Sequence, residues 1–128
     1  MKYLSAILVL CYAFLMVQAQ PTSFVNPFIG TSDDHGQTDP SATIPFGMIK
    51  PGPETIPRGN GGYDYQAQQL KGFSQTRMSG VGCIGVGGNL LIAPFVGTPY
   101  ETVKIDKASE IATPGYYSII LDNQLKVE

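Results

Sequence analysis

The chain has 128 residues, with 10 acidic side chains against 8 basic ones and a formal charge of −2. Its Lys and Arg are scattered, not gathered into a stripe that could track a phosphate backbone, so nucleic acid is not an expected partner. Its two cysteines are Cys11 and Cys83, and the first falls in a leader, which excludes an internal disulfide framework and leaves the fold to rest on packing.

Residues 1–19 read as a secretory signal peptide that would form a helix. Lys2 gives a short positive start, residues 3–17 are an uncharged apolar run, and Val17-Gln18-Ala19 supplies the small-residue cleavage pattern. Removal leaves residues 20–128, with no stretch approaching the roughly 20 apolar residues that span a bilayer. The product is expected to be secreted or periplasmic, with no membrane association after cleavage. Leu10 stands where lipidation of Cys11 prefers a small residue, which argues against a lipid anchor.

Beyond the leader the chain is dense in Gly and Pro yet has ordinary aliphatic content, a composition of short extended segments joined by many turns. The loop Asp33-Asp34-His35-Gly36-Gln37-Thr38-Asp39-Pro40 holds the single histidine. It lacks the alternating acids and terminal Glu of an EF-hand, and one histidine makes no zinc site. Two readings stand open for it: a plain surface turn, or a set of side chains suited to hydrogen-bonding sugar hydroxyls. Residues 43–49 are expected to form a strand, being rich in β-branched and aromatic residues.

Gly61-Gly62-Tyr63-Asp64-Tyr65, with Gly72-Phe73-Ser74 close behind, sets aromatic rings beside a carboxylate on Gly-flanked loops. Such a ring can stack on the apolar face of a sugar while the acid accepts hydroxyl hydrogen bonds. The plainer alternative makes Tyr63 and Tyr65 ordinary sheet residues. Residues 66–71 are expected to form one helical turn stopped by Gly72. Gly80-Val81-Gly82-Cys83-Ile84-Gly85 satisfies the dinucleotide pattern, but a buried strand should precede it and a helix follow. Polar residues precede it and a loop entering a strand follows, so the glycines are read as tight turns instead. Cys83 has no neighbouring histidine to activate it and reads as a small buried hydrophobe.

Strands are expected at residues 89–93, at residues 102–105 and over Tyr116–Leu121. Residues 121–128 read as strand, turn and the opening of another strand, as if a hairpin had begun in a longer chain. The fold class is therefore all-β, an antiparallel β-sandwich.

Six blocks taken in order carry a resemblance. They are Val25-Asn26-Pro27-Phe28-Ile29-Gly30-Thr31, His35-Gly36-Gln37-Thr38-Asp39-Pro40, Pro45-Phe46-Gly47-Met48, Gly62-Tyr63-Asp64-Tyr65, Gly72-Phe73-Ser74 with Gly80-Val81-Gly82-Cys83, and Ala112-Thr113-Pro114-Gly115-Tyr116-Tyr117. Together they resemble the N-terminal domain of glycoside hydrolase family 92, across nearly all of residues 20–128. The resemblance implies an exported, calcium-dependent exo-α-mannosidase that inverts the anomeric centre, with an N-terminal β-sandwich packed on an (α/α)6 catalytic barrel. Inversion uses one carboxylic acid on the leaving oxygen and a second carboxylate that activates water. The resemblance places both, and the calcium ligands, in the barrel, so no catalytic or metal residue is expected here. It gives this domain one wall of the pocket for an α-mannoside glycan, with His35, Gln37, Asp39, Tyr63, Asp64, Tyr65, Arg77 and Cys83 as its candidates. The family's commoner wording has histidine where Gln37 and Gln75 stand, which bears on the leaving group accepted. A stand-alone carbohydrate-binding module and a truncated, inactive product are the alternatives.

Overall fold

The computed structural model describes residues 21–32, 36–75, 77, 87–122 and 124–128; the leader, His35 and Cys83 lie outside them. After a 3-10 turn at Pro21–Phe24 come six strands: β1 (Gly52–Ile56), β2 (Gln69–Ser74), β3 (Leu91–Ile92), β4 (Val103–Thr113), β5 (Tyr116–Leu121) and β6 (Lys126–Val127). They form one antiparallel sheet in the order β1-β2-β4-β5-β6, with β3 paired to β2. β4 takes one end of β2 through Gln69 and Leu70, and β3 takes the other through Phe73 and Ser74. Among the described residues no helix is long and apolar enough to cross a membrane.

The β4–β5 hairpin is the centre of the fold. Pro114-Gly115 closes it, with Gly115 at φ 80°, the left-handed position that the second central residue of a type II turn requires. Tyr117, Ile119 and Leu121 on β5 pack with Ile105 of β4 and Leu70 of β2 as the buried core. Phe73 meets the Tyr117 ring edge-on, with centroids 6.2 Å apart. After β5, Gln124 at φ 64° turns the chain so that β6 pairs with β5, completing the hairpin read at residues 121–128.

Two local expectations are corrected, and one strand is new. Residues 43–49 are a turn and not a strand: Gly47 N donates to Ile44 O at 3.0 Å around Pro45 and Phe46, and Phe46 sits at φ 64°. Pro45 has no N–H to give a ladder, so the apolar run folds back and its side chains stay in solvent. Residues 66–71 do not form a helical turn stopped by Gly72. A single turn closes from Asp64 O to Ala67 N at 3.1 Å, and the chain then enters β2, where Gly72 lies mid-strand. A Cβ at Gly72 would stand 2.7 Å from the Ile92 carbonyl, so the glycine admits β3 beside β2. The sheet also contains β1, which its Pro-rich wording had hidden. β1 lies at the sheet edge, where Pro53 costs no interior ladder bond.

A wide irregularity interrupts β4. Asp106 pairs with Ile120 and Ile111 with Ser118, so four residues of β4 face the single residue Ile119. Ser109 fills the gap: its hydroxyl donates to Asp106 O at 2.6 Å and accepts from Ile120 N at 2.8 Å.

Candidate functional site

Three glycine-punctuated segments converge beside β1. Asn60 N donates to Gly36 O at 2.9 Å, joining the loop after β1 to the segment that follows His35 in the chain. Thr55 N donates to Gly62 O, and Tyr65 N to Thr31 O, each at 3.0 Å. Arg77, bridged to Gly87, lays its side chain against Gly62 and Gly88. A Cβ on Gly62 would fall 2.5 Å from Arg77 Cδ, and one on Gly88 3.1 Å from its guanidinium carbon. Both glycines have positive φ, 93° and 67°, so any other residue there would strain the backbone as well as collide.

A fork-to-fork pair locks this junction. Arg77 donates through Nη2 to Glu54 Oε2 at 2.6 Å and through Nε to Glu54 Oε1, with both side chains largely buried. A buried carboxylate is tolerable only when so paired. Asp39 makes a second lock. Its carboxylate, 2% exposed, accepts from Lys50 Nζ at 2.5 Å and from Ser41 N at 3.0 Å. Asp39, Arg77, Lys50, Gly61 and Ser74 line one narrow polar cleft that these side chains fill.

The tyrosine loop divides its roles. Tyr63 is 0% exposed, its ring inside the fold, and its hydroxyl donates to Glu110 Oε1 at 2.8 Å. Burial first, and the Glu110 charge second, push its phenol well above the ordinary range, and the same two causes act on Tyr117. Asp64 accepts from Gln66 N at 2.8 Å and so builds its own turn. Tyr65 is the exposed ring, 45% accessible, touching Phe28 edge-on at 5.2 Å. Gln37 is half-buried, its N–H donating to Gly30 O at 3.1 Å.

The fold therefore brings together the segments that carry Gln37, Asp39, Tyr63, Asp64, Tyr65 and Arg77, but not on equal terms. Asp39, Tyr63 and Arg77 are buried, hydrogen-bonded supports, while Gln37, Asp64 and Tyr65 reach the surface. His35 and Cys83 are outside the described residues. The sequence reading missed Glu54, Lys50, Lys107 and Glu110. A signal for the last two stood in the polar run Asp106-Lys107-Ala108-Ser109-Glu110 inside a strand, which regular alternation does not explain.

The described strands that flank the glycine-rich segment do not have the pairing of a nucleotide-binding unit. Residues 80–85 lie outside the described residues, but the strands on either side of them, the half-buried β2 and β3, pair antiparallel, whereas a dinucleotide unit sets its two strands parallel. The described residues also do not fit the calcium that the family resemblance implies. No three His, Cys, Asp or Glu among them come together as a metal cluster, and Asp39, Glu54 and Glu110 are each held by a cation of the chain.

Residues 24–128 match the model of the glycosyl hydrolase family 92 N-terminal domain. The chain superposes on the family 92 glycosyl hydrolase ccman5 with a TM-score of 0.71 and 39% identity, over 78% of this chain and 14% of that one. It superposes on a family 92 α-mannosidase of Bacteroides thetaiotaomicron with a TM-score of 0.75 and 32% identity, over 84% of this chain and 16% of that one. The latter protein has also been solved with mannoimidazole bound. The chain thus spans only 14% to 16% of the length of these relatives. No curated protein matches it.

Proposed function

The chain belongs to glycosyl hydrolase family 92, as its N-terminal domain, and from that premise we propose that it forms the carbohydrate-facing wall of an exported α-mannosidase. In this reading the loops carrying Gln37, Asp64 and Tyr65 contact the leaving portion of an α-linked mannoside. Bond cleavage with inversion falls to two carboxylates of an (α/α)6 barrel, which would also hold the calcium. The observation that carries the reading is the convergence of residues 36–41, residues 59–66 and Arg77 on one junction fixed by the Glu54–Arg77 pair. Loops on a rigid support can meet a ligand without first being ordered by it.

In this reading these residues orient the glycan. Asp39, Glu54, Glu110 and Asp64 are poor candidates for acid and base, because the first three are already paired and Asp64 caps a turn. The surface supports a partner domain rather than a stand-alone module: Phe46 and Met48 are 104% and 96% exposed, with Ile44 and Ile49 beside them. A contiguous apolar strip of that kind marks an interface. Residues 20–128, purified and supplied with calcium, are expected to release no mannose from 4-nitrophenyl α-mannoside. Release at an enzymatic rate would place the catalytic carboxylates inside this chain and defeat the proposal.

A further inference from the structure

Lys107 and Glu110 are three apart on β4, a spacing that sends side chains to opposite faces of a regular strand. The irregularity between Asp106 and Ile111 brings them together instead. Lys107 Nζ pairs with Glu110 Oε2 and donates to the Tyr63 hydroxyl at 2.8 Å. Glu110 Oε1 accepts from Tyr63 at 2.8 Å and from Tyr117 at 2.6 Å, and the Glu110 side chain is 2% exposed. Two hydrogen-bond partners, one of them a buried carboxylate, hold this partly exposed ammonium and narrow its geometry.

That ammonium lies 4.7 Å from the centroid of the Tyr65 ring, within the range of a cation–π contact. Phe28 meets the same ring edge-on at 61°, and the Tyr65 backbone is tied to Thr31. The half-exposed tyrosine is thus pinned by a cation, an aromatic edge and a main-chain hydrogen bond. Bulges of this kind re-aim side chains next to functional sites.

The geometry points to Lys107 as a positioning residue, whose ammonium against Tyr65 fixes that ring as a platform for the apolar C–H face of a pyranoside. The inference rests on the carbohydrate reading above. A loop tyrosine without the cation would sample several rotamers, and binding would have to order it.

The test is a double-mutant cycle on the full chain, with affinity for an α-linked mannobioside, which carries a pyranose on the leaving side, read by saturation-transfer NMR. Tyr65→Ala is expected to weaken binding roughly tenfold, the scale of one aromatic contact. Lys107→Met is expected to weaken it roughly threefold, with Lys107→Arg restoring it. In the Tyr65→Ala background Lys107→Met should add nothing, a coupling that a merely structural lysine would not produce. Lys107→Gln, which can still hydrogen-bond to Glu110 and Tyr63 but carries no charge, gives the same readout if Lys107→Met fails to fold. An undiminished loss in the Tyr65→Ala background overturns the inference. So does wild-type affinity in the lysine variants while Tyr65→Ala still weakens binding. If Tyr65→Ala itself changes nothing, it is the carbohydrate reading of this loop that falls, and the positioning role falls with it.

Discussion

The β4–β5 hairpin and the loop junction around Arg77 are held by different forces. The hairpin buries Ile105, Tyr117, Ile119 and Leu121 along one face, and its turn is set by Pro114-Gly115. The junction buries charges instead: Glu54 against Arg77, and Asp39 against Lys50, with glycines cut to fit the guanidinium. Apolar burial is non-directional and tolerates approximate shape, whereas a buried ion pair needs both partners in place. The first region supplies a frame; the second fixes the loops that the proposal turns toward a glycan.

That difference is broken most directly by removing one member of a lock. Arg77→Ala leaves Glu54 buried without its partner and is expected to lower stability by about 3–5 kcal/mol, the cost of an uncompensated buried charge. Thermal or urea unfolding checks it, and the double variant Glu54→Gln with Arg77→Met should recover much of the loss. If Arg77→Ala costs no more than an exposed substitution, the junction is not charge-locked.

Alkaline pH sharpens the contrast next. Tyr63 and Tyr117 are held neutral above the ordinary phenol value of about 10 by burial and by the Glu110 charge. Above that pH the unfolded chain loses phenolic protons that the folded chain keeps. The unfolded state is then favoured, and the stabilisation present below pH 10 declines as pH rises. Tyr117→Phe should flatten that decline, which urea titrations across the range would show.

The smallest expected effect lies in the hairpin. Ile119→Val trims one methylene from the core and should cost about 1 kcal/mol. Unlike a surface charge change, it should be nearly indifferent to salt. A loss several times larger would mean that the hairpin too depends on a unique fit.

Legibility in the sequence followed the same division. β5 was readable at its true bounds because β-branched and aromatic residues lie between clear turn signals, and the final hairpin was readable for the same reason. β4 was seen only at its start, since the polar run from Asp106 to Glu110 hides a bulge. β1 was not legible, because Pro53 and Glu54 argue against a strand unless the edge position and the Arg77 partner are known. Tyr63 and Tyr65 are two apart and look alike in sequence, yet one is the buried hydrogen-bond donor and the other the exposed ring. Only the tertiary position of Lys107 and Glu110 separates them.

The most direct test of the account is a crystal structure of the enzyme carrying this domain with mannoimidazole or an uncleaved α-mannoside bound. The account predicts that the sugar contacts the surface carrying Gln37, Asp64 and Tyr65, with the two hydrolytic carboxylates supplied from outside residues 20–128. A sugar bound away from those loops, or cleaved between carboxylates of this chain, would contradict it.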